Sequence, residues 1–236
     1  MWRPAVAAIA AAGAAAWAVR GRASSVCAPS VWRGPAGRRA LALTFDDGPS
    51  EATAEILALL ERFGTRATFF QCGANAERLP EAARAVSQAG HEIGNHTYSH
   101  ARLWMRSPAF IEGEVSRAQA VLGAIHGVPP RLFRAPYGVR WPGLASAQQR
   151  HRLLGVMWTV IARDWADESE AVAARIERGA SPGGIICLHD GRELTARPNV
   201  SATIAAVRLA LPALIDQGYE FETVSGLIIH SLSEGH

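Results

Sequence analysis

From residue 40 to residue 223 the chain alternates short apolar runs with longer amphipathic stretches, and few folds accommodate that rhythm. The apolar runs fall at 40–45, 67–70, 92–95, 132–134, 154–159, 184–188 and 220–223 and read as strands. The stretches between them, at 50–63, 76–89, 107–125, 143–152, 168–178 and 200–217, read as helices. Ser50 stands where the first helix wants an N-cap, and Gly64, Gly90 and Gly218 stand where helices stop. Strands separated one by one by helices pair in parallel, so the expected class is α/β. An open doubly wound sheet and a closed or partly closed barrel both satisfy the pattern. The 236 residues suffice for one such core and fall short of two full domains.

In a barrel, reactive groups gather at the carboxyl ends of the strands, and five of these ends are polar here. The first strand ends in Thr44-Phe45-Asp46-Asp47-Gly48-Pro49. Two adjacent acids after a strand should point in different directions, so one can be a base and the other a ligand. Gly48 and Pro49 then turn the chain into the helix. The third strand runs into His96-Thr97-Tyr98-Ser99-His100, an i, i+4 pair that would set both imidazoles on one face of a helical turn. Together with Asp47 it offers two nitrogens and one carboxylate oxygen, a set that suits zinc or another borderline divalent ion.

The fourth strand ends in Arg134-Ala135-Pro136-Tyr137-Gly138. Its guanidinium can hold a carboxylate, and a backbone N–H in so tight a turn can face an oxyanion. Arg163-Asp164-Trp165 follows the fifth strand and Leu188-His189-Asp190 ends the sixth. A strand-end histidine near a strand-end aspartate makes an oriented imidazole that can donate a proton.

The net charge of +3 hints at a polyanionic partner only until it is placed along the chain. Six arginines and no acid lie in residues 1–40, which leaves 18 basic against 21 acidic residues in the remainder. No basic run interleaves with aromatic residues, so no nucleic-acid partner is expected. Residues 1–22 contain an uncharged, alanine-rich stretch from Pro4 to Val19 and read as a signal peptide or short membrane anchor, the chain's sole expected link to a membrane. Arg20 and Arg22 directly after it argue against clean export, because positive charge tends to stay cytoplasmic. The expected location is exported or anchored facing the cell envelope, with a cytoplasmic protein as the alternative. Residues 23–39, rich in Gly, Pro and Ser, read as a linker, and 40–236 as the catalytic domain. Cys27 lies in that linker, while Cys72 and Cys187 close apolar runs and read as buried, unpaired thiols.

In order and wording the five motifs resemble those of the polysaccharide deacetylases, carbohydrate esterase family 4, with its NodB-like homology domain. The resemblance covers about residues 40–230 and implies a distorted, partly open (β/α)7-type barrel. It implies a monomeric hydrolase that removes acetyl groups from N-acetylated or O-acetylated polysaccharide such as peptidoglycan, chitooligosaccharide or xylan. By the same resemblance Asp46 is the general base, and Asp47, His96 and His100 bind one divalent ion, Zn²⁺ with Co²⁺ or Ni²⁺ as alternatives. His189 is the general acid, oriented by Asp164; Arg134 positions Asp46; the Tyr137 backbone N–H stabilises the oxyanion; Trp165 and Leu188 wall the pocket for the acetyl methyl. One position departs from the family pattern. Ile161 stands where the fourth motif usually begins with an aspartate that helps hold the arginine, which implies a less firmly held Arg134 and motivates a rival reading as a catalytically weakened glycan- or metal-binding module. Trp104 and Trp141 could stack on sugar or serve as ordinary packing.

Overall fold

The computed structural model describes residues 2–233. At its centre lies β2 (Ala40–Asp46), buried along its whole length between β3 (Ala67–Gln71) and β8 (Gly184–His189). A central parallel strand is covered on both faces, which is why this segment is apolar without interruption as far as Thr44. Outward from β3 follow β4 (Glu92–Asn95), β5 (Leu132–Phe133), β6 (Leu154–Val156) and an edge strand β1 (Ser30–Val31); beyond β8 lies β7 (Val160–Ile161). The short β9 (Glu220–Phe221) pairs with the amino end of β2. Every pairing is parallel, and the two edges β1 and β7 are not joined to each other among the described residues. The sheet is therefore a curled, partly open barrel, as the family resemblance implies, and not the open doubly wound sheet that the pattern also allowed.

Among the described residues the expected seven strands are nine. The run at 154–159 breaks into β6 and β7, which sit at opposite ends of the sheet, and the stretch expected as a linker contributes β1. Pro80 splits the helix expected at 76–89 into α3 (Gly73–Arg78) and α4 (Pro80–Gln88), since proline has no N–H for an interior helical bond and fits the first helical position. Ser50 does not cap α2 (Thr53–Arg62); its hydroxyl instead donates to Asp190 O and accepts from Ala52 N–H in the turn before the helix. Ser107 is a true cap of α5 (Pro108–His126), accepting from Phe110 N–H, and Gly127 ends that helix with φ of 78°.

Strand pleating divides the core. Leu41, Leu43 and Phe45 of β2 face α2, α7 (Ser169–Gly179) and α8 (Ser201–Asp216), with Phe45 stacked on Phe69 at 4.9 Å. Ala40 and Ala42 face the inside of the curl, where Phe70, Leu132, Val156 and Ile185 meet Val224 and Leu227 of α9 (Val224–Ser233). A further helix, α6 (Leu144–His151), packs with α5 over Leu103, Phe133 and Ala135.

The amino-terminal α1 (Trp2–Arg20) is exposed through Trp17 wherever its burial is described, with Ala18 half-buried, Val19 buried and Arg20 exposed. No helix among the described residues is long and apolar enough to cross a membrane. Beyond α1 the chain is fastened to the barrel. Arg140, itself buried, donates its backbone N–H to Val19 O and its guanidinium to Gly21 O and Ser24 O, while Arg22 Nη1 donates to Thr159 O at 2.6 Å.

Candidate active site

Parallel register sets Asp46 of β2 beside His189 of β8, and Asn95 of β4 beside Phe133 of β5, so the strand ends that carry the motifs converge. They surround a cleft of about 450 Å³ lined by Asp46, Asp47, His96, His100, Tyr137, Trp165 and His189 among others. That size falls within the usual range for a small-ligand site. The two adjacent acids do not point apart as expected. Asp47 has φ of 73°, which turns the chain out of the strand and swings its carboxylate into the same cleft as Asp46. The next residue must be glycine, because a Cβ on Gly48 would lie 2.2 Å from Asp190 Oδ2.

His96 and His100 lie in a loop and not on the helical turn that their spacing suggests. Left-handed backbone at Thr97 and His100, φ 65° and 54°, brings the two rings to 5.1 Å. Asn95 Oδ1 holds this loop by accepting from Thr97 N–H, and the Glu114 carboxylate by accepting the N–H and hydroxyl of Ser99. His100 Nε2 and His96 Nε2 stand 3.0 and 3.4 Å from Asp47 Oδ1. His96 Nδ1 is 2.7 Å from the Arg134 carbonyl, which only accepts, so Nδ1 carries the proton and Nε2 turns a lone pair to the cleft. Asp47 Oδ1 is buried and has no aligned donor. Three electron-pair donors thus converge on one buried point, and the N, N, O set fits a zinc-like divalent ion. Burial alone would raise the Asp47 carboxyl, but its interactions with His100 and His96 hold it well below the usual carboxylate range.

Asp46, Cys187 and His189 bring a second set of donor atoms within 4.8 Å of one another. This set suits proton transfer better than a metal, because its atoms are already engaged. Asp46 Oδ1 accepts from Arg134 Nη1 at 2.7 Å, and the Cys187 thiol donates to Asp46 Oδ2 at 3.4 Å. Burial, reinforced by the Asp46 charge, pushes that thiol well above its ordinary pKa. His189 Nδ1 lies 2.8 Å from Asp164 Oδ1, while Asp164 Oδ2 accepts from His189 N–H and the Thr203 hydroxyl. Burial would lower the imidazole's pKa, yet the charge of Asp164 and the hydrogen bond to it win and raise it to about 9. Trp165 meets the His189 ring edge-on at 5.1 Å.

Arg134 is wholly buried and lies behind the cleft. Its Nε donates to Val156 O, Nη1 to Thr44 Oγ1 and Asp46 Oδ1, and Nη2 to Met157 O, with Phe70 stacked 4.1 Å from the guanidinium carbon. The looser Arg134 that Ile161 implied is therefore not found: two carbonyl oxygens and a hydroxyl hold the guanidinium alongside Asp46. Tyr137, at φ 57°, packs edge-on to His100, and its hydroxyl donates to Glu193 Oε1 at 2.6 Å.

Several lining residues escape a reading of the motifs. Cys187 and Ile161 were accessible in principle, since Cys187 is two residues before His189 on the same strand and Ile161 pairs beside it. Glu193, Arg192 and Arg20 carry no local signal; the fold alone brings them to the cleft. Trp104 and Trp141 contact each other at 4.5 Å outside it, Trp141 against the core and Trp104 exposed.

The family model described as polysaccharide deacetylase matches residues 33–155. A chitooligosaccharide deacetylase of Bradyrhizobium sp. is 34% identical over 200 residues, covering 81% of this chain and 91% of the relative. A peptidoglycan-N-acetylglucosamine deacetylase of Bacillus cereus is 30% identical over 196 residues, covering 82% of this chain and 70% of the relative. Among solved structures, the Bc1960 peptidoglycan N-acetylglucosamine deacetylase superposes with a TM-score of 0.78 at 28% identity, over 84% of this chain and 92% of that one.

Leu188 is the one expected pocket residue that the fold places elsewhere. The alternation that sends Cys187 and His189 to the cleft sends Leu188 into the core beneath the helices, where it is fully buried. Leu188→Ala should accordingly lower the free energy of unfolding by about 2–5 kcal/mol in urea titrations, the cost of a buried cavity. A change below about 1 kcal/mol would return Leu188 to the pocket wall.

Proposed function

Because the chain belongs to the polysaccharide deacetylase family and is a polysaccharide deacetylase, we propose that it is a metal-dependent hydrolase of N-acetylated glycan, with peptidoglycan or chitooligosaccharide as substrate. One observation carries the reading: an acid–base pair, Asp46 and His189, stands in the same cleft as the buried Asp47, His96 and His100 donors.

A Zn²⁺ ion held by Asp47, His96 and His100, or Co²⁺ or Ni²⁺ in its place, supplies Lewis acidity toward the acetyl carbonyl and the attacking water. Asp46, fixed by Arg134, takes the proton of that water as general base. The Tyr137 backbone N–H is the donor assigned to the oxygen on which negative charge develops. His189, protonated at neutral pH and aligned through Nδ1 by Asp164, gives its proton to the leaving nitrogen. An amine leaves only once protonated, so a histidine held in its charged form supports N-deacetylation above O-deacetylation. Trp165, Ile161 and Cys187 enclose the acetyl methyl. Arg134's full set of acceptors supports an enzyme over a weakened binding module, because the position of Asp46 survives the change at Ile161.

Acetylated cell-envelope polymers are met outside the cytoplasm, and the exported or envelope-facing location fits that substrate. Burial of Val19 and Ser24 against the barrel supports a retained amino-terminal segment over a cleaved one.

Asp46→Asn should lower kcat for acetate release by about 10²–10⁴ while leaving the bound Zn²⁺ stoichiometry unchanged by elemental analysis. His96→Ala should lose both the ion and the activity. An active Asp46→Asn enzyme would remove Asp46 from the role of base. Asp164→Asn takes away the charge that raises His189, so the alkaline limb of the pH profile of kcat/KM, set by a group near about 9, should move to lower pH by about 1–3 units. An unmoved limb would dissociate Asp164 from His189.

A further inference from the structure

The cleft is not built by the barrel alone. Arg20, the last residue of α1, lines it together with Asp46, Trp165 and His189, and its side chain is exposed. The position of Arg20 is set by the fastening that follows it: Val19 O, Gly21 O and Ser24 O all accept from Arg140, and Arg22 ties the same segment to Thr159 O. Ser24 Oγ, in turn, donates to Ala18 O and secures the last turn of the helix.

The charges around the cleft differ in how they are matched. Asp46 is paired with Arg134, Asp47 faces the two histidines at the proposed ion site, and Glu193 accepts from the Tyr137 hydroxyl. Among the described residues Arg20 forms no ion pair with any carboxylate. A second cation of the same wall, Arg192, donates to the neutral carbonyl oxygens of Gly191 and Asp164. A guanidinium carried to the cleft wall by a fastened backbone and matched by no carboxylate among the described residues offers two parallel N–H donors to a planar anion and has little to offer an uncharged sugar.

We propose that Arg20 is a specificity-determining contact for a carboxylate on the glycan, so that the cleft selects acidic N-acetylated glycans, such as those bearing lactyl or peptide carboxylates, over neutral N-acetylglucosamine oligomers. This rests on the deacetylase reading above and deepens it by naming the substrate's charge. It also gives α1 a place in catalysis apart from any role in address.

The test compares two probes of equal length, an N-acetylated glycan fragment carrying lactyl carboxylates and a neutral N-acetylglucosamine oligomer. Affinity for the full chain is read by calorimetry, and kcat/KM by acetate release. Arg20→Glu should lower the acidic-to-neutral ratio at least about tenfold in both measurements, with Arg20→Lys between it and the wild type. Raising salt from about 50 to about 500 mM should lower the wild-type ratio and raise that of Arg20→Glu, so that the two converge as attraction and repulsion are both screened. A ratio within about twofold of the wild type in Arg20→Glu overturns the proposal, because a general loss of folding or turnover cancels between the two probes. An Arg20-dependent ratio of affinities in a protein that releases no acetate would overturn the deacetylase reading and sustain this one.

Discussion

The buried guanidinium of Arg134 is the interaction on which the rest of the site depends. A charge removed from water must be paired and its N–H groups accepted, or the fold loses several kcal/mol. Its acceptors come from β2, through Thr44 and Asp46, and from Val156 and Met157 at the far side of the curl, with Phe70 of β3 stacked against it. The sheet cannot relax its curvature without stranding that cation. The carbonyl of the same residue also sets the tautomer of His96, so a single residue fixes both the proposed base and the orientation of a proposed metal ligand.

Around it, four aspartates share a small volume without mutual rejection because each environment differs. Asp47 is held low by its histidines and Asp164 by the charge of His189, in both cases against burial. Asp190, deep in the structure with the Thr53 hydroxyl donating to its Oδ2, is pushed up to about 7 by burial, with the nearby Asp47 charge adding to it. Its backbone N–H donates to Asp46 O and its carboxyl lies against Gly48, which makes it a peg beneath the first motif. One residue type thereby takes the proposed parts of base, ligand and orienting partner as well as that of support, with environment as the difference.

How much of this could be read from the chain varies by element. The parallel α/β order and the five polar strand ends were legible, because hydrophobic period and strand-end position are local properties. Nine of the ten expected site residues stand in or directly behind one cleft, and the exception, Leu188, failed on parity, a rule the strand itself contained. The count of strands was not legible. Two-residue strands such as β1 and β7 have no period of their own and exist only because a neighbour pairs with them.

What the amino-acid sequence determined by itself was which chemical groups stand at the ends of which strands, since apolar runs, turns and caps are decided within a few residues. Which way those groups point was decided by tertiary structure. The left-handed backbone at Asp47, Thr97 and His100 is held by contacts from distant segments, and without it the two acids would diverge and the histidines would not meet over Asp47. The same holds for Arg20, which reaches the cleft because Arg140, 120 positions later in the chain, donates to the segment around it, and Arg22 to Thr159, fastening that segment against the barrel.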